Sequence, residues 1–281
     1  MTPVDLRHCR SLLFVPASNA RAIEKARGLA ADAIVVDLED SVRDEDKARA
    51  REAMIAAAGE GFGGKPTIVR VNASNTPHFG EDIVAVRHCA AHFVLLSKTE
   101  SARDIHDAVH LMARPALAMI ETPHGVLDAA AIAPLAAGLV AGTNDLGAML
   151  GIPAGAGRAG LSYALQRIVL SARAAGVAAF DGVYNGLAAD DALAAECADG
   201  RAFGFDGKSA IHPSQIEAIN RAFSPDEAAI EAARRLVAAA SGGAERHEGR
   251  MIEALHVAQA RALLARADRP VESLATPETR P

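Results

Sequence analysis

The sequence predicts an eight-stranded parallel α/β barrel, and three features of the chain support that fold class. Short apolar segments and longer amphipathic segments alternate through eight cycles. The apolar segments are continuous, which is typical of strands buried on both faces. Short links between them imply a parallel sheet with right-handed crossovers, and 281 residues suit a barrel of the usual ~250 residues. The same alternation is compatible with a doubly wound open sheet, which is the alternative.

The predicted elements follow from this alternation. The strands are Ser11–Pro16, Ala33–Leu38, Thr67–Asn72, Phe93–Ser97, Ala116–Thr122, Gly138–Gly142, Ala179–Tyr184 and Phe205–His212. The helices between them include Ala20–Ala31, Asp44–Ala58, Glu81–Ala91, Ser101–Met112 and Leu161–Ala175. Three helix starts carry the capping-box pattern, namely Ser101 with Asp104, Ser214 with Glu217, and Ser224 with Glu227, the last with Pro225 in the first helical position.

The alternation ends at Phe223, which predicts a barrel over residues 1–223 and a C-terminal helical arm or lid over residues 224–268. The arm contains a predicted helix at Pro225–Ala240, a glycine-containing break, and a second helix at Arg250–Ala267. Residues 269–281 are polar and carry three prolines, so we predict that they are disordered. The pattern fits a surface extension and a mobile lid equally well.

Composition excludes several classes of protein. Half of the residues are hydrophobic and 23% are charged, which is typical of a globular protein with a large core. The net charge of −6, the absence of Trp and the lack of a Lys/Arg run argue against a nucleic-acid partner. Three scattered cysteines indicate a reducing compartment, and no apolar stretch approaches the ~18 residues of a membrane helix. With no signal-peptide pattern at the start, we expect a cytoplasmic enzyme that has no membrane partner.

Polar residues follow most of the predicted strands, at the end where α/β barrels carry their active sites. In chain order they are Asp37, Glu39, Asp40, Arg70, Asn72, Lys98, Glu121, Asn144, Asp145, Lys208 and His212. Any one of them is compatible with a helix cap or a solvated loop charge, but their collection at one end indicates a site.

The pattern of charges suggests a chemistry for this site. Glu121 and Asp145 follow neighbouring strands, and two carboxylates supplemented by water suit Mg²⁺. The planar fork of Arg70 suits a substrate carboxylate. A metal and an arginine at one barrel end describe a site for a 2-oxo or 2-hydroxy acid. The metal would polarise a carbonyl and stabilise a developing enolate, which favours carbon–carbon cleavage by retro-aldol or retro-Claisen chemistry.

Six segments resemble one family, in the same order. They read RSLLFVPAS at Arg10–Ser18, DLED at Asp37–Asp40, RVN at Arg70–Asn72, ET at Glu121–Thr122, GTNDLG at Gly142–Gly147 and FDGKSAIHPSQI at Phe205–Ile216. Over about residues 10–265 the chain resembles the citrate lyase β-subunit-like proteins of the HpcH/HpaI aldolase and malyl-CoA lyase superfamily. The resemblance implies a TIM barrel, dependence on Mg²⁺, and cleavage or formation of a 3-hydroxyacyl-CoA thioester of the citramalyl, malyl or citryl type.

The resemblance also assigns roles to individual residues. It implies that Glu121 and Asp145 are the metal ligands and that Arg70 is a catalytic residue that binds the substrate carboxylate. Glu39 and Asp40 are implied to be catalytic acidic residues near the metal's water shell. Arg10 and Lys98 are implied to bind substrate. The implied partners are an acyl-CoA and a small 2-oxo or hydroxy acid. The chain departs from the family at Ala17 and Ser97, where Gly and Pro are usual, and we expect these changes to affect loops.

A larger departure lies in the arm. Acyl-CoA lyases of this superfamily carry a GxMID-like segment whose Asp acts as an acid/base in a neighbouring subunit's site. Here the segment reads Gly249-Arg-Met-Ile-Glu253. Glu253 is then a functional replacement, a sign of a different substrate or reaction, or a solvated charge. The family pattern implies a homo-oligomer, either a trimer or a hexamer built as a dimer of trimers.

The sequence is also compatible with other functions, and it contains two motifs of other protein classes. The alternatives are a β subunit of a multi-subunit citrate lyase acting on a carrier-protein thioester, a catalytically silent acyl-CoA-binding barrel, and a simple pyruvate-type aldolase. Gly155–Gly160 matches GxGxxG but does not follow a strand directly, so a dinucleotide site is disfavoured. His106 and His110 resemble a zinc-protease pair, but their place inside a predicted barrel helix favours a solvated surface.

Overall fold

A computed structural model describes residues 5–153, 155–240, 245–247 and 250–268. Eight parallel strands form a closed barrel in the order β1 to β8, and β8 pairs with β1. They are β1 (Ser11–Pro16), β2 (Ala33–Asp37), β3 (Thr67–Val71), β4 (Phe93–Leu96), β5 (Ala116–Ile120), β6 (Gly138–Ala141), β7 (Ala178–Asp181) and β8 (Gly207–Ala210). The predicted barrel is confirmed, and the open-sheet alternative is wrong.

Helices follow the strands and surround the barrel. They are α1 (Ala20–Arg27), α2 (Lys47–Glu60), α3 (Phe79–Arg87), α4 (Ala102–Met112), α5 (Pro123–Ile132), α6 (Thr143–Met149), α7 (Ser162–Ala175), α8 (Asp191–Phe203) and α9 (Gln215–Phe223). Two apolar cores result from the alternation of side chains along the strands. Leu12, Val35 and Leu95 belong to the core inside the barrel, whereas Leu13, Val36 and Leu96 pack against the helices.

Of the three predicted capping boxes, the one at Ser101 forms, because its hydroxyl accepts the Asp104 N–H and the Asp104 carboxylate accepts the Ser101 N–H. The predicted box at Ser214 is absent because the Ser214 hydroxyl donates to the Leu187 carbonyl instead. The predicted box at Ser224 is also wrong. The hydroxyl of Ser224 donates to the Asn220 carbonyl, and Asp226 caps the next helix.

The C-terminal arm contains α10 (Glu227–Ala239), β9 (Glu245–His247), β10 (Arg250–Ile252) and α11 (Ala254–Asp268). The helix predicted at Arg250–Ala267 therefore starts later, because Arg250–Ile252 pairs antiparallel with β9. α11 packs on α10, and Arg266 near its end donates to the backbone carbonyl of Asp206, just before β8. The arm is thus attached at the amino-terminal end of the barrel. The tail predicted at residues 269–281 lies outside the described residues.

The described helices include none that is both long and apolar enough to span a membrane. Cys9, Cys89 and Cys197 are buried free thiols in the described part of the chain.

Candidate active site

A cavity of about 300 Å³ opens at the carboxyl ends of the strands. Its polar lining contains several of the residues predicted to meet there, namely Asp37, Asp40, Arg70, Glu121, Asn144 and Asp145. Phe14, Met119 and Val183 supply an apolar wall. The cavity therefore combines charged groups with an apolar surface at the end of the barrel where catalysis is expected.

Glu121 and Asp145 reach the cavity from neighbouring elements. Glu121 directly follows β5 and is only 2% exposed, whereas Asp145 lies in the first turn of α6 and its side chain is 37% exposed. Glu121 Oε1 accepts the backbone N–H of Lys98 at 2.7 Å. Burial, reinforced by the negative charge of Glu39, raises the pKa of Glu121 to about 8. A group with this pKa loses its proton readily when a cation binds beside it.

Glycine at position 142 is required by the position of Glu121. A Cβ added at Gly142, the residue after β6, would overlap both the Cβ and Oε2 of Glu121. The GTNDLG segment therefore does two things here. Its first glycine, Gly142, makes room for the carboxylate of Glu121, and its Asp145 supplies the second carboxylate.

A chain of alternating charges lies along the polar side of the cavity. Arg70 donates from Nε and Nη2 to the two carboxylate oxygens of Asp37, both at 2.6 Å, and its Nη1 lies 2.8 Å from Glu39 Oε2. Lys98 Nζ donates to Glu39 Oε1 at 2.7 Å and lies 3.3 Å from Asp145 Oδ2. Asp37 and Arg70 are paired residues in the β2–β3 register, so the barrel itself sets this first link. We call these five residues the charge chain.

Arg70 also contacts apolar side chains. Its guanidinium carbon lies 5.2 Å from the centroid of the Phe14 ring, and Nη1 lies 3.9 Å from the sulfur of Met119. Since the Nε–Nη2 edge is given to Asp37, the edge that remains for a ligand includes Nη1. Arg70 stays a candidate for carboxylate binding, although its guanidinium already contacts Asp37 and Glu39.

Lys98 has an unusual backbone conformation for a residue with a side chain. Its φ is +49°, in the left-handed region that costs non-glycine residues roughly 1 kcal/mol or more. The conformation directs the Lys98 N–H to Glu121 while its ammonium reaches Glu39 and Asp145. Lys98 thus contacts both predicted metal ligands, Glu121 through its backbone and Asp145 through its ammonium.

The donor set fits a divalent cation. In the described part of the chain, the carboxylates of Asp37, Glu39, Glu121 and Asp145 interact at the cavity with two cationic groups, Arg70 and Lys98. With Glu121 ionised, these groups carry an excess of two negative charges, which is costly in a largely buried cavity unless a cation neutralises it. Without a cation, the raised pKa of Glu121 keeps that carboxyl protonated below pH 8, and one excess negative charge remains. Within the described residues, no set of three His, Cys, Asp or Glu side chains forms a protein-only metal cage. Two carboxylates fit Mg²⁺, which retains water and substrate oxygens as its other ligands.

The structure corrects the prediction that Arg10 binds substrate. Arg10 precedes β1 and therefore lies at the amino-terminal end of the barrel. Its Nε and Nη2 donate to Asp32 at 2.8 and 2.9 Å, and its Nη1 donates to Ser224 at 3.0 Å. Arg10 ties the barrel base to the start of the arm.

Two further residues expected near the cavity have other partners. Lys208 is buried in β8, where its ammonium contacts Asp181 at 2.9 Å and Glu196 of α8 at 3.1 Å, so it points outward to the helix layer. Asn72 accepts from Lys47 at 2.7 Å and donates to Asp82 at 2.7 Å, also outside the barrel. Both are structural residues that lie behind the site.

Glu253 is exposed at the start of α11, and its backbone N–H donates to His256 Nδ1 at 3.0 Å. Among the described residues, no hydrogen bond or ion pair joins Glu253 to the cavity of its own chain. Asp40 lines the cavity and is exposed at its edge. His106 and His110, which resemble a zinc-protease pair in the sequence, are exposed on α4, and their stacked rings have centroids 4.1 Å apart.

Lys47 holds the DLED loop in place, although it is not one of the residues predicted for the site. Its ammonium donates to the carbonyls of Leu38 and Glu39 at 2.7 and 2.9 Å. Lys47 is only 5% exposed, although it begins a helix whose sequence, KARAR, is typical of a solvated surface. No local signal distinguishes this lysine from the charges that follow it.

Comparison with known proteins gives concordant results. The sequence model of the HpcH/HpaI aldolase/citrate lyase family matches residues 10–213. A (3S)-malyl-CoA thioesterase of Cereibacter sphaeroides is 43% identical over 270 residues, covering 92% of this chain and 94% of the relative. The citrate lyase subunit beta of Escherichia coli is 33% identical over 281 residues, covering 92% and 93%. Protein CitE from Mycobacterium tuberculosis, solved with magnesium, acetoacetate and coenzyme A, has a TM-score of 0.83 at 33% identity, covering 94% of this chain and 100% of that chain.

Proposed function

The chain belongs to the HpcH/HpaI aldolase/citrate lyase family, and from this premise we propose an Mg²⁺-dependent carbon–carbon lyase that acts on a 3-hydroxyacyl-CoA thioester of the malyl, citramalyl or citryl type. The observation that carries the proposal is the carboxylate pair Glu121 and Asp145 at the end of the charge chain, where ionisation of Glu121 brings the excess of negative charge to two. The magnesium in the related CitE complex supports the choice of metal.

Glu121 and Asp145 are the residues proposed to hold the metal. Mg²⁺ bound there would supply a Lewis acid for a substrate oxygen. Lys98 fixes both carboxylates, one through its backbone N–H and the other through its ammonium. This arrangement places the ligands before the metal arrives, which is the preorganisation that efficient catalysis requires.

Arg70 is proposed to bind the carboxylate of the acid portion of the substrate through its Nη1 side. Asp37 orients the guanidinium, and the Phe14 ring excludes water from beneath it. Glu39 lies between Arg70 and Lys98 and would exchange one of these contacts when substrate arrives. Glu39 and Asp40 are the candidates to accept the proton of the substrate 3-hydroxyl during cleavage.

Glu253 is proposed to protonate the carbon of the departing thioester from a neighbouring subunit. The arm is attached at the amino-terminal end of its own barrel, through Arg266 and the segment before β8, which is the end opposite the cavity. A contribution in trans therefore requires a homo-oligomer, and we propose a trimer or a dimer of trimers.

Hydrolysis of the same thioester is the second candidate, because the relative with 43% identity is named a (3S)-malyl-CoA thioesterase. The two reactions break different bonds of one substrate. Cleavage of the carbon–carbon bond of malyl-CoA gives acetyl-CoA and glyoxylate, whereas hydrolysis gives malate and free CoA. Both use a polarised carbonyl, so the cavity chemistry is shared.

The test is to incubate the protein with (3S)-malyl-CoA and Mg²⁺ and to quantify all four products. Acetyl-CoA with glyoxylate supports the lyase, and malate with CoA, without glyoxylate, supports the thioesterase. Activity on the free CoA thioester alone would contradict a need for a carrier-protein subunit. Glu121→Gln and Asp145→Asn should abolish turnover, and exposed Glu100→Gln is the matched control. Full activity in either ligand variant would refute the proposed metal site.

A further inference from the structure

A second groove, of about 520 Å³, lies at the amino-terminal end of the barrel, opposite the cavity described above. The short helical turn Leu6–His8, the end of α8, the segment before β8 and the last turns of α11 enclose it. Nothing in the proposed reaction uses this groove. Its walls are nevertheless rich in arginine, in a chain whose net charge is −6.

Positive charge exceeds negative charge around this groove. Arg7 is neutralised by Asp5 through bonds of 2.9 and 2.7 Å. Asp206, which is 6% exposed, is already occupied on both oxygens by Arg173, at 2.8 and 2.9 Å. Arg266 must share that carboxylate, since its Nη1 lies 3.8 Å from Asp206 Oδ1, beyond hydrogen-bonding distance.

Arg201 has no carboxylate partner among the described residues and donates instead to the Ala222 carbonyl at 3.0 Å. One carboxylate, that of Asp206, thus accompanies three guanidinium groups, those of Arg173, Arg201 and Arg266, which leaves an excess of two positive charges. Burial and the neighbouring charges of Arg173 and Arg201 lower the pKa of Arg266 below its ordinary value, despite the nearby Asp206. Cationic groups held this close together favour the binding of an anion.

Two buried nitrogen atoms without hydrogen-bond partners belong to residues that line the groove. Within the described part of the chain, Arg266 Nε and His8 Nδ1 are inaccessible to solvent and form no hydrogen bond. Buried polar atoms are normally satisfied, and an unsatisfied one is costly. The groove also has an apolar wall made by Phe205, Phe223 and Leu263.

We propose that this groove binds a phosphate monoester, with the phosphoryl group against Arg201 and Arg266 and the organic group against the apolar wall. A doubly negative phosphoryl group matches the excess of two positive charges, and guanidinium groups bind phosphate through paired hydrogen bonds. The apolar wall adds affinity for an ester over inorganic phosphate. Because Arg266 belongs to α11, the ligand also stabilises the docking of the arm on the barrel.

The test is calorimetric titration of the full chain, in Mg²⁺-free chloride buffer, with phenyl phosphate and separately with inorganic phosphate. We expect phenyl phosphate to bind more tightly, and Arg201→Gln and Arg266→Gln each to weaken its binding about tenfold. Arg103→Gln on α4 removes an equal charge at a site that is 87% exposed and should change nothing. Arg201 is exposed, so its variant keeps the test valid if Arg266→Gln does not fold.

Hydrogen exchange of α11 supplies a second measurement. Phenyl phosphate should slow exchange across residues 254–268 in the unmodified protein and in Arg103→Gln, but not in Arg201→Gln. Absence of binding at millimolar concentrations, or equal affinity in Arg201→Gln and the unmodified protein, would overturn the proposal. Equal affinity for inorganic phosphate would show that the apolar wall contributes nothing, and the assignment to an ester would be wrong.

Discussion

The affinity for Mg²⁺ should depend steeply on pH, because a proton competes with the metal at Glu121. The pKa of this buried carboxyl is raised to about 8, so below pH 8 the group is mostly protonated in the absence of a cation. Binding of Mg²⁺ requires the carboxylate and releases about one proton. The apparent affinity should therefore rise about tenfold per pH unit between pH 6 and pH 8, and level off above pH 8.

The sign of the stability effect follows from the same pKa. The unfolded carboxyl titrates near its ordinary value of 4.5, whereas the folded one titrates near 8. Between these values the folded state holds a proton that the unfolded state has lost, so the free energy of unfolding falls as pH rises through this window. Bound Mg²⁺ should counteract this loss.

The assay is calorimetric titration of Mg²⁺ at pH 6, 7 and 8 in buffers of different ionisation enthalpy, which counts the released proton directly. Glu100→Gln should retain the full slope, and Glu121→Gln should lose both the slope and most of the affinity. A pH-independent affinity between pH 6 and 8, with no proton released, would refute the reasoning about Glu121.

Three other perturbations test the remaining parts of the site. Gly142→Ala adds a Cβ that overlaps Glu121, so the Kd for Mg²⁺ should rise about tenfold or more, while Gly147→Ala on α6, where nothing lies within 4 Å, should bind normally. Arg70→Lys keeps the positive charge but loses one of the two hydrogen bonds to Asp37. The KM for the acid should therefore rise roughly tenfold, and an unchanged KM would assign Arg70 a structural role. Glu253→Gln should lower kcat by ~10²–10⁴-fold without changing the affinity for Mg²⁺. Mixing Glu253→Gln subunits with Arg70→Ala subunits should restore some activity. A monomeric enzyme with unchanged kcat would contradict this role of Glu253.

The barrel was predictable because its signal repeats along the chain. The strand Ser11–Pro16 has the predicted bounds, and most others end one or two residues earlier than the apolar run. In each of those cases the run continues into the loop that carries the site. Glu121, for example, directly follows the last paired residue of β5, and such a residue reads as part of the strand in the sequence alone.

Several features of the site were not predictable from local patterns. The bidentate contact of Arg70 with Asp37 depends on the register between β2 and β3, which single-sequence reasoning does not provide. Arg10 comes before β1 rather than after it, so its side chain lies at the end of the barrel opposite the cavity, although the segment that contains it resembles the family. Lys208 lies within its strand rather than after it, and strand alternation turns its side chain outward.

The arm shows a different reason for error. Arg250–Ile252 reads as the start of a helix because the residues after it are good helix formers. Its pairing with Glu245–His247 is a contact between segments, which overrides the local preference. The pairing also moves the helix start past Glu253, which therefore lies in the junction between β10 and α11.

The charge chain also constrains how these sequences can diverge. Each of its three inner members, Arg70, Glu39 and Lys98, contacts opposite charges on both sides. Replacing one leaves buried neighbours uncompensated, whereas replacing two that touch removes a pair and costs less than the sum of the single losses. We therefore expect substitutions at these positions to be coupled, because a single replacement lowers stability unless the residue that contacts it changes as well. Positions such as Arg70 and Asp37 should accordingly vary as pairs, at a slower rate than equally buried apolar positions of the same barrel.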